Sequence, residues 1–125
     1  MWIFTEHGML SIVADRDDAD VLLVRGRAPR DVEGAAWACG ITQIEHTPDA
    51  DYGYRFRVTR STFSLAVSRL VSGIDYDNFK GRVHDVDPDP ARMDAYFRVW
   101  QAMRNFQQQV AARERREREA ETADA

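Results

Sequence analysis

Residues 54–59 read Tyr-Arg-Phe-Arg-Val-Thr, and this strict alternation constrains the fold more than any other stretch of the chain. Period two puts Tyr54, Phe56 and Val58 on one face of a strand and Arg55, Arg57 and Thr59 on the other. A strand with one apolar and one wet face is not stable alone. It needs neighbours for its backbone hydrogen bonds and a second layer over its apolar side.

The flanking sequence supplies both. Trp2–Thr5 and Leu10–Ala14 are short apolar runs around His7-Gly8, which predicts a tight hairpin. The polar turn 15–20 leads into a third strand, Val21–Arg25, completing an antiparallel meander. Pro29 suits a first helical turn, and the helix it opens is expected to run to Cys39 and stop at Gly40, anchored by Val32 and Trp37. Ile41–Glu45 reads as a fourth strand, and residues 54–59 form the fifth.

Beyond residue 60 the period changes to that of helices. Ser61 is the expected N-cap of a helix whose stripe is Phe63, Val67, Leu70 and Ile74. Residues 75–87 then pack aromatic and ionisable side chains densely between helical segments. Asp77 is expected to cap a short turn there, with Tyr76 and Phe79 buried as its anchors. Asp89-Pro90 opens the last helix, striped by Met93, Tyr96, Phe97, Trp100, Met103 and Val110, with Phe97 and Trp100 expected on the sheet. The order β-β-β-α-β-β-α-α predicts an α+β fold of about five antiparallel strands. Helices would cover one face, in a ferredoxin-like or permuted arrangement with a long C-terminal helix. One domain is expected over residues 1–110. Residues 111–125, with Arg and Glu four apart, read as a charged helical extension fraying at its end.

Composition narrows the function classes. A net charge of −4 argues against broad, sequence-blind binding to nucleic acid. The lone Cys39 makes no internal bridge and fits a reducing compartment. With no basic leader and no long apolar run, the expected location is cytoplasmic, away from membranes. Sixteen of the seventeen basic residues are Arg, which reads first as the codon bias of a GC-rich genome, with selection for forked contacts to carboxylate or phosphate as the alternative.

Residue patterns give few catalytic leads. His84-Asp85 with Asp87 and Asp89, and His46 with Asp49 and Asp51, lack the spacing of a known metal site, so neither metal nor cofactor is expected. No Gly-x-Ser-x-Gly or Gly-rich phosphate loop occurs, and no catalytic residue is assigned. Two candidate binding regions remain. Arg25 with Arg27, and Arg55 with Arg57, each project from one face of a strand near Tyr52, an arrangement suited to nucleic acid or a phosphate ligand. The second region holds the polar residues Asp75, Asn78, Lys80, Arg82 and His84. The last helix also outlasts what a small sheet can cover, and Phe106 lies off its stripe. That leaves an apolar face for a protein partner or a homodimer.

Several segments together resemble a family of small bacterial and bacteriophage proteins of unknown function. They are Met1-Trp2-Ile3-Phe4-Thr5 with Gly8 and Ser11-Ile12-Val13, then Val24-Arg25-Gly26-Arg27, then residues 47–55. The resemblance continues at Ile74-Asp75-Tyr76-Asp77-Asn78-Phe79-Lys80 and ends at Ala95-Tyr96 with Val99-Trp100. It implies bacterial or phage kinship and no particular activity, cofactor or catalytic residue. The expected role is a small interaction or regulatory protein acting through a partner or a second copy of itself. The alternatives are ligand binding by the Arg-rich sheet face, or an enzyme centred on residues 75–85.

Overall fold

Five strands and four helices account for the chain in a computed structural model that describes all residues, Met1–Ala125. Strands β1 (Trp2–Thr5), β2 (Gly8–Ala14), β3 (Val21–Gly26), β4 (Glu45–His46) and β5 (Tyr54–Thr59) form one antiparallel sheet in the order β1-β2-β3-β5-β4. Helix α1 (Pro29–Ala38) joins β3 to β4. Both of those strands are antiparallel to β5, which lies between them, so β3-α1-β4 is a split β-α-β unit with the β1–β2 hairpin on its open edge. Helices α2 (Arg60–Ser72), α3 (Phe79–Val86) and α4 (Pro90–Ala123) follow. The chain divides into two units, Met1–Asp87 and Pro88–Ala125. The fold is α+β, as expected.

Alternation decides which face is buried. Leu10, Ile12, Val24, Phe56 and Val58 point to one side and join Val32, Ala36, Cys39, Phe63 and Ala66 from α1 and α2 in a single apolar cluster. Gly8 and Gly26 let α1 approach closely: a Cβ on Gly8 would lie 2.7 Å from the Asp31 Cα, and one on Gly26 would lie 2.9 Å from the Asp31 Cβ. Burial pushes the Cys39 thiol above its ordinary value, so it serves as packing.

Several expectations require correction. Trp37 is 84 % exposed; Val32, Ala36 and Cys39 hold α1 instead, at the spacing of one helical face. Residues 41–44 are not strand. Gly40, at φ 69°, ends α1 in a Schellman motif: its N–H donates to the Trp37 carbonyl, and the Ile41 N–H donates to that of Ala36 at 2.8 Å. Ile41 is thus committed to the helix end, and pairing begins only at Glu45. Thr59, not Ser61, caps α2, its hydroxyl accepting from the Thr62 N–H. On α2 only Phe63 and Ala66 are buried, with Val67 partly so; Leu70 and Ile74 are exposed, because the core lies against the first half of the helix. Asn78, not Asp77, caps α3, accepting from the Gly81 N–H at 3.1 Å. Val83 is the buried anchor of α3, while Phe79 stays 37 % exposed and Tyr76 half-buried. The two rings meet at 6.3 Å between centroids.

Asp89 caps α4 ahead of Pro90, as the sequence predicts, its carboxylate accepting from the Ala91 N–H at 2.9 Å. This helix buries none of its residues, and Phe97 and Trp100, expected in the core, are exposed and stack on each other at 5.8 Å.

Candidate functional site

Strand register places Trp2, Ser11, Arg25, Arg55 and Glu45 in one row across all five strands. Residues directly opposite in antiparallel strands share a face. The apolar cluster takes the alternate positions, so this row lies on the face turned away from α1 and α2. Arg25 faces Arg55 directly. Like charges so placed repel and weaken the sheet unless something else is gained.

Arg27, expected on the third strand, lies just past its end at Gly26, so three arginines of the sheet face and this fourth beside them divide into two kinds. Arg57 is neutralised: its Nε donates to Asp15 at 2.9 Å and its Nη1 to Glu45 at 3.1 Å. Arg27 lies 3.6 Å from Asp51 across an exposed gap. Arg25 and Arg55 bond to neutral oxygens instead, Arg25 to the Ser11 hydroxyl at 2.8 Å and Arg55 to the Tyr52 carbonyl at 3.1 Å. Each also keeps a buried Nε–H with no hydrogen-bond partner. A buried donor left unpaired costs about 1–3 kcal/mol, so this arrangement opposes folding.

Tyr52 organises the centre. It lies in the short loop between β4 and β5, closed by the Thr47 N–H donating to the Gly53 carbonyl at 2.8 Å. The Arg25 and Arg27 guanidinium carbons lie 4.5 and 4.2 Å from its ring centroid, a cation–π contact that holds both charges in place. Its phenol is held below the usual value by the Ser11 hydroxyl first, with help from the Arg27 charge and the Trp2 indole, against the opposing effect of burial. Ser11 and Tyr52 are buried, whereas Trp2 at the sheet edge is 65 % exposed. The surface therefore combines two guanidiniums bonded to no carboxylate, a buried tyrosine ring that fixes Arg25 and Arg27, and an open indole. Its guanidinium charges can attract an anionic oxygen, and the open indole can stack a flat group beside it.

Asp15 makes this face sensitive to acid. Hydrogen bonding to Arg57 and to the Asp17 N–H holds its carboxyl below the ordinary value. Its contribution to stability is therefore complete above the unfolded carboxyl pKa and lost as pH falls through the lower folded one, below about pH 4. In urea titrations the midpoints of wild type and Asp15→Asn should differ at pH 6 and converge in that acid range.

The second candidate region is not gathered into a site. Asn78 is occupied as a helix cap. Arg82 reaches Glu6 in the β1–β2 turn at 3.3 Å, tying α3 to the hairpin. Asp75 and Lys80 are exposed, and His84 stands beside Asp85 at 3.9 Å, both in solvent. Sequence reasoning found the four arginines and Tyr52 but missed Trp2 and Ser11. The sequence suggested a turn at His7-Gly8, which would set Trp2 against Val13; the chain turns one residue earlier, at Glu6-His7, and that register pairs Trp2 with Ser11.

No known family, curated protein or solved structure matches the chain. No helix is long and apolar enough to cross a membrane.

Proposed function

We propose that this is a small cytoplasmic regulatory binding protein whose working surface is the sheet face turned away from α1 and α2, and that its ligand is a phosphate-bearing chain, single-stranded nucleic acid being the class the surface fits. The observation that carries this reading is the Arg25–Arg55 pair, opposed across the β3–β5 ladder with neither guanidinium bonded to a carboxylate; Glu45, opposite Arg55 in the same row, is engaged by Arg57 instead. A phosphate between the two forks would relieve their repulsion, and a base stacked on Trp2 would account for an exposed indole at the end of the same row. Net charge −4 keeps such binding weak and local. The segments that carry the resemblance to small bacterial and phage proteins also supply Trp2, Ser11, Arg25, Arg27, Tyr52 and Arg55.

The test is fluorescence anisotropy with labelled single-stranded RNA and DNA of about ten nucleotides, a length that spans one sheet-sized site. Two phosphate contacts should give a slope of log K against log salt of about −1.4. Arg25→Ala and Arg55→Ala should each weaken binding about tenfold, the worth of one charged hydrogen bond. Arg57→Ala, whose charge is already neutralised, should change it less than about twofold. Absence of salt-sensitive binding below about 100 µM, or an equal loss in the Arg57 variant, rules the reading out.

A further inference from the structure

Helix α4 carries a pattern that the sheet-face reading does not use. Met93, Tyr96, Trp100, Met103, Gln107 and Val110 follow one another at spacings of three, four, three, four and three, the seam of a helix that pairs with another helix. At the middle of this seam Trp100 and Met103 are 56 % and 59 % exposed, and Phe106 beside them is also 56 % exposed. Arg104 lies over the Trp100 ring at 5.5 Å, which covers part of one face of the indole. No carboxylate stands among the seam residues between Met93 and Val110. Beyond Val110 the same seam positions carry Glu114, Glu117 and Glu121.

We infer that α4 pairs antiparallel with α4 of a second copy of this chain, about a two-fold axis between Trp100 and Met103. The pattern is self-complementary about that point, as a two-fold interface requires. Trp100 then packs on Met103 of the partner subunit, Tyr96 on Gln107 of the partner subunit, and Met93 on Val110 of the partner subunit. Val99 and Phe106 flank this core and meet across it. A parallel copy in register would instead set Glu114, Glu117 and Glu121 each against its own counterpart, three like-charge pairs inside the seam. The antiparallel overlap leaves all three glutamates outside the shared segment. The charge pattern thus selects the orientation, and the apolar pattern selects a copy of the same helix. An interface of one helix per subunit is small, so the dimer is concentration-dependent.

Sedimentation velocity of the full chain from about 5 to 500 µM should show monomer passing to dimer. Trp100→Glu and Met103→Glu should each shift that transition at least tenfold upward in concentration, with an unchanged far-ultraviolet circular dichroism spectrum, because α4 buries none of its residues. Orientation is read by oxidative cross-linking, with the wild type, whose Cys39 is buried, as control. A mixture of Val99→Cys and Phe106→Cys chains should form the mixed disulfide, and Gln107→Cys alone should not cross-link to itself. Monomer at every concentration, a dimer indifferent to Trp100→Glu, or efficient self-linking through position 107 would each overturn the inference.

Discussion

Phe56→Ala should lower the stability of the sheet-bearing unit by about 3–5 kcal/mol, the usual cost of removing a buried aromatic. Phe56 is 2 % exposed and the largest fully buried side chain. It stands on β5, between β3 and β4, opposite Val24 at 0 % exposure, with Ile12 the next residue along the row. Both covering helices pack against β5 as well as β3. Deleting the ring therefore removes contacts in every direction at once, and neither the hydrogen-bonded sheet nor the helices can collapse into the space without breaking other contacts. Against a total stability of about 5–15 kcal/mol, the variant should be close to unfolding at 37 °C. Urea denaturation checks this: the midpoint should fall with little change in slope. A loss under about 1.5 kcal/mol would show that the ring is not the centre of the core.

Gly8→Ala should cost on the order of 3 kcal/mol, for a different reason. Gly8 opens β2 at φ 153°, a conformation side chains rarely adopt. A Cβ there would also come within 2.3 Å of the Asp31 Oδ1 and 2.7 Å of the Asp31 Cα. The carboxylate could swing aside, but the Cα could move only if the first turn of α1 moved with it. Gly40→Ala is the contrast. Its φ of 69° carries the same kind of backbone penalty, but nothing lies within 4 Å of a Cβ there, so about 1 kcal/mol is expected. Thermal denaturation of the two variants side by side separates strain from steric exclusion; equal losses would refute the close approach of α1 to the hairpin.

The site and the fold pull against each other at Arg55. Replacing it with Met keeps the stem over the sheet and removes one of two opposed charges, together with an unpaired buried donor. Arg55→Met should therefore leave stability unchanged or raised while weakening oligonucleotide binding. Loss of stability together with binding would mean that the guanidinium serves the fold.

What was legible in the sequence was periodic or locally encoded. Alternation at Tyr54–Thr59 set the buried and open faces of β5, and with them the common face of Arg55 and Arg57. Pro29, Gly40 and Asp89-Pro90 marked helix ends, because capping depends on residues within one turn of one another. Distances across the fold were not encoded this way. Nothing local says that the Ile41 amide closes a Schellman motif instead of starting a strand, since Ile suits both. Trp37 has the larger apolar surface, but Ala36 lies on the face that Gly8 and Gly26 open to α1, so close backbone approach selects the smaller side chain. Asn78 and Asp77 are equally good caps in isolation; in the fold it is Asn78 that takes the extended backbone ahead of α3 and accepts from the Gly81 N–H.

The sequence by itself determined the class of fold, the two-faced strand at its centre and the presence of Arg25, Arg55 and Arg57 on strand faces, because these follow from side-chain period and backbone stereochemistry. Only the tertiary structure decided which arginines matter. Register set Arg25 against Arg55, folding brought Asp15 and Glu45 to Arg57, and the loop laid Tyr52 under Arg25 and Arg27. Charge neutralisation falls off with distance through space, and the acid that silences Arg57 most closely lies 42 residues away along the chain.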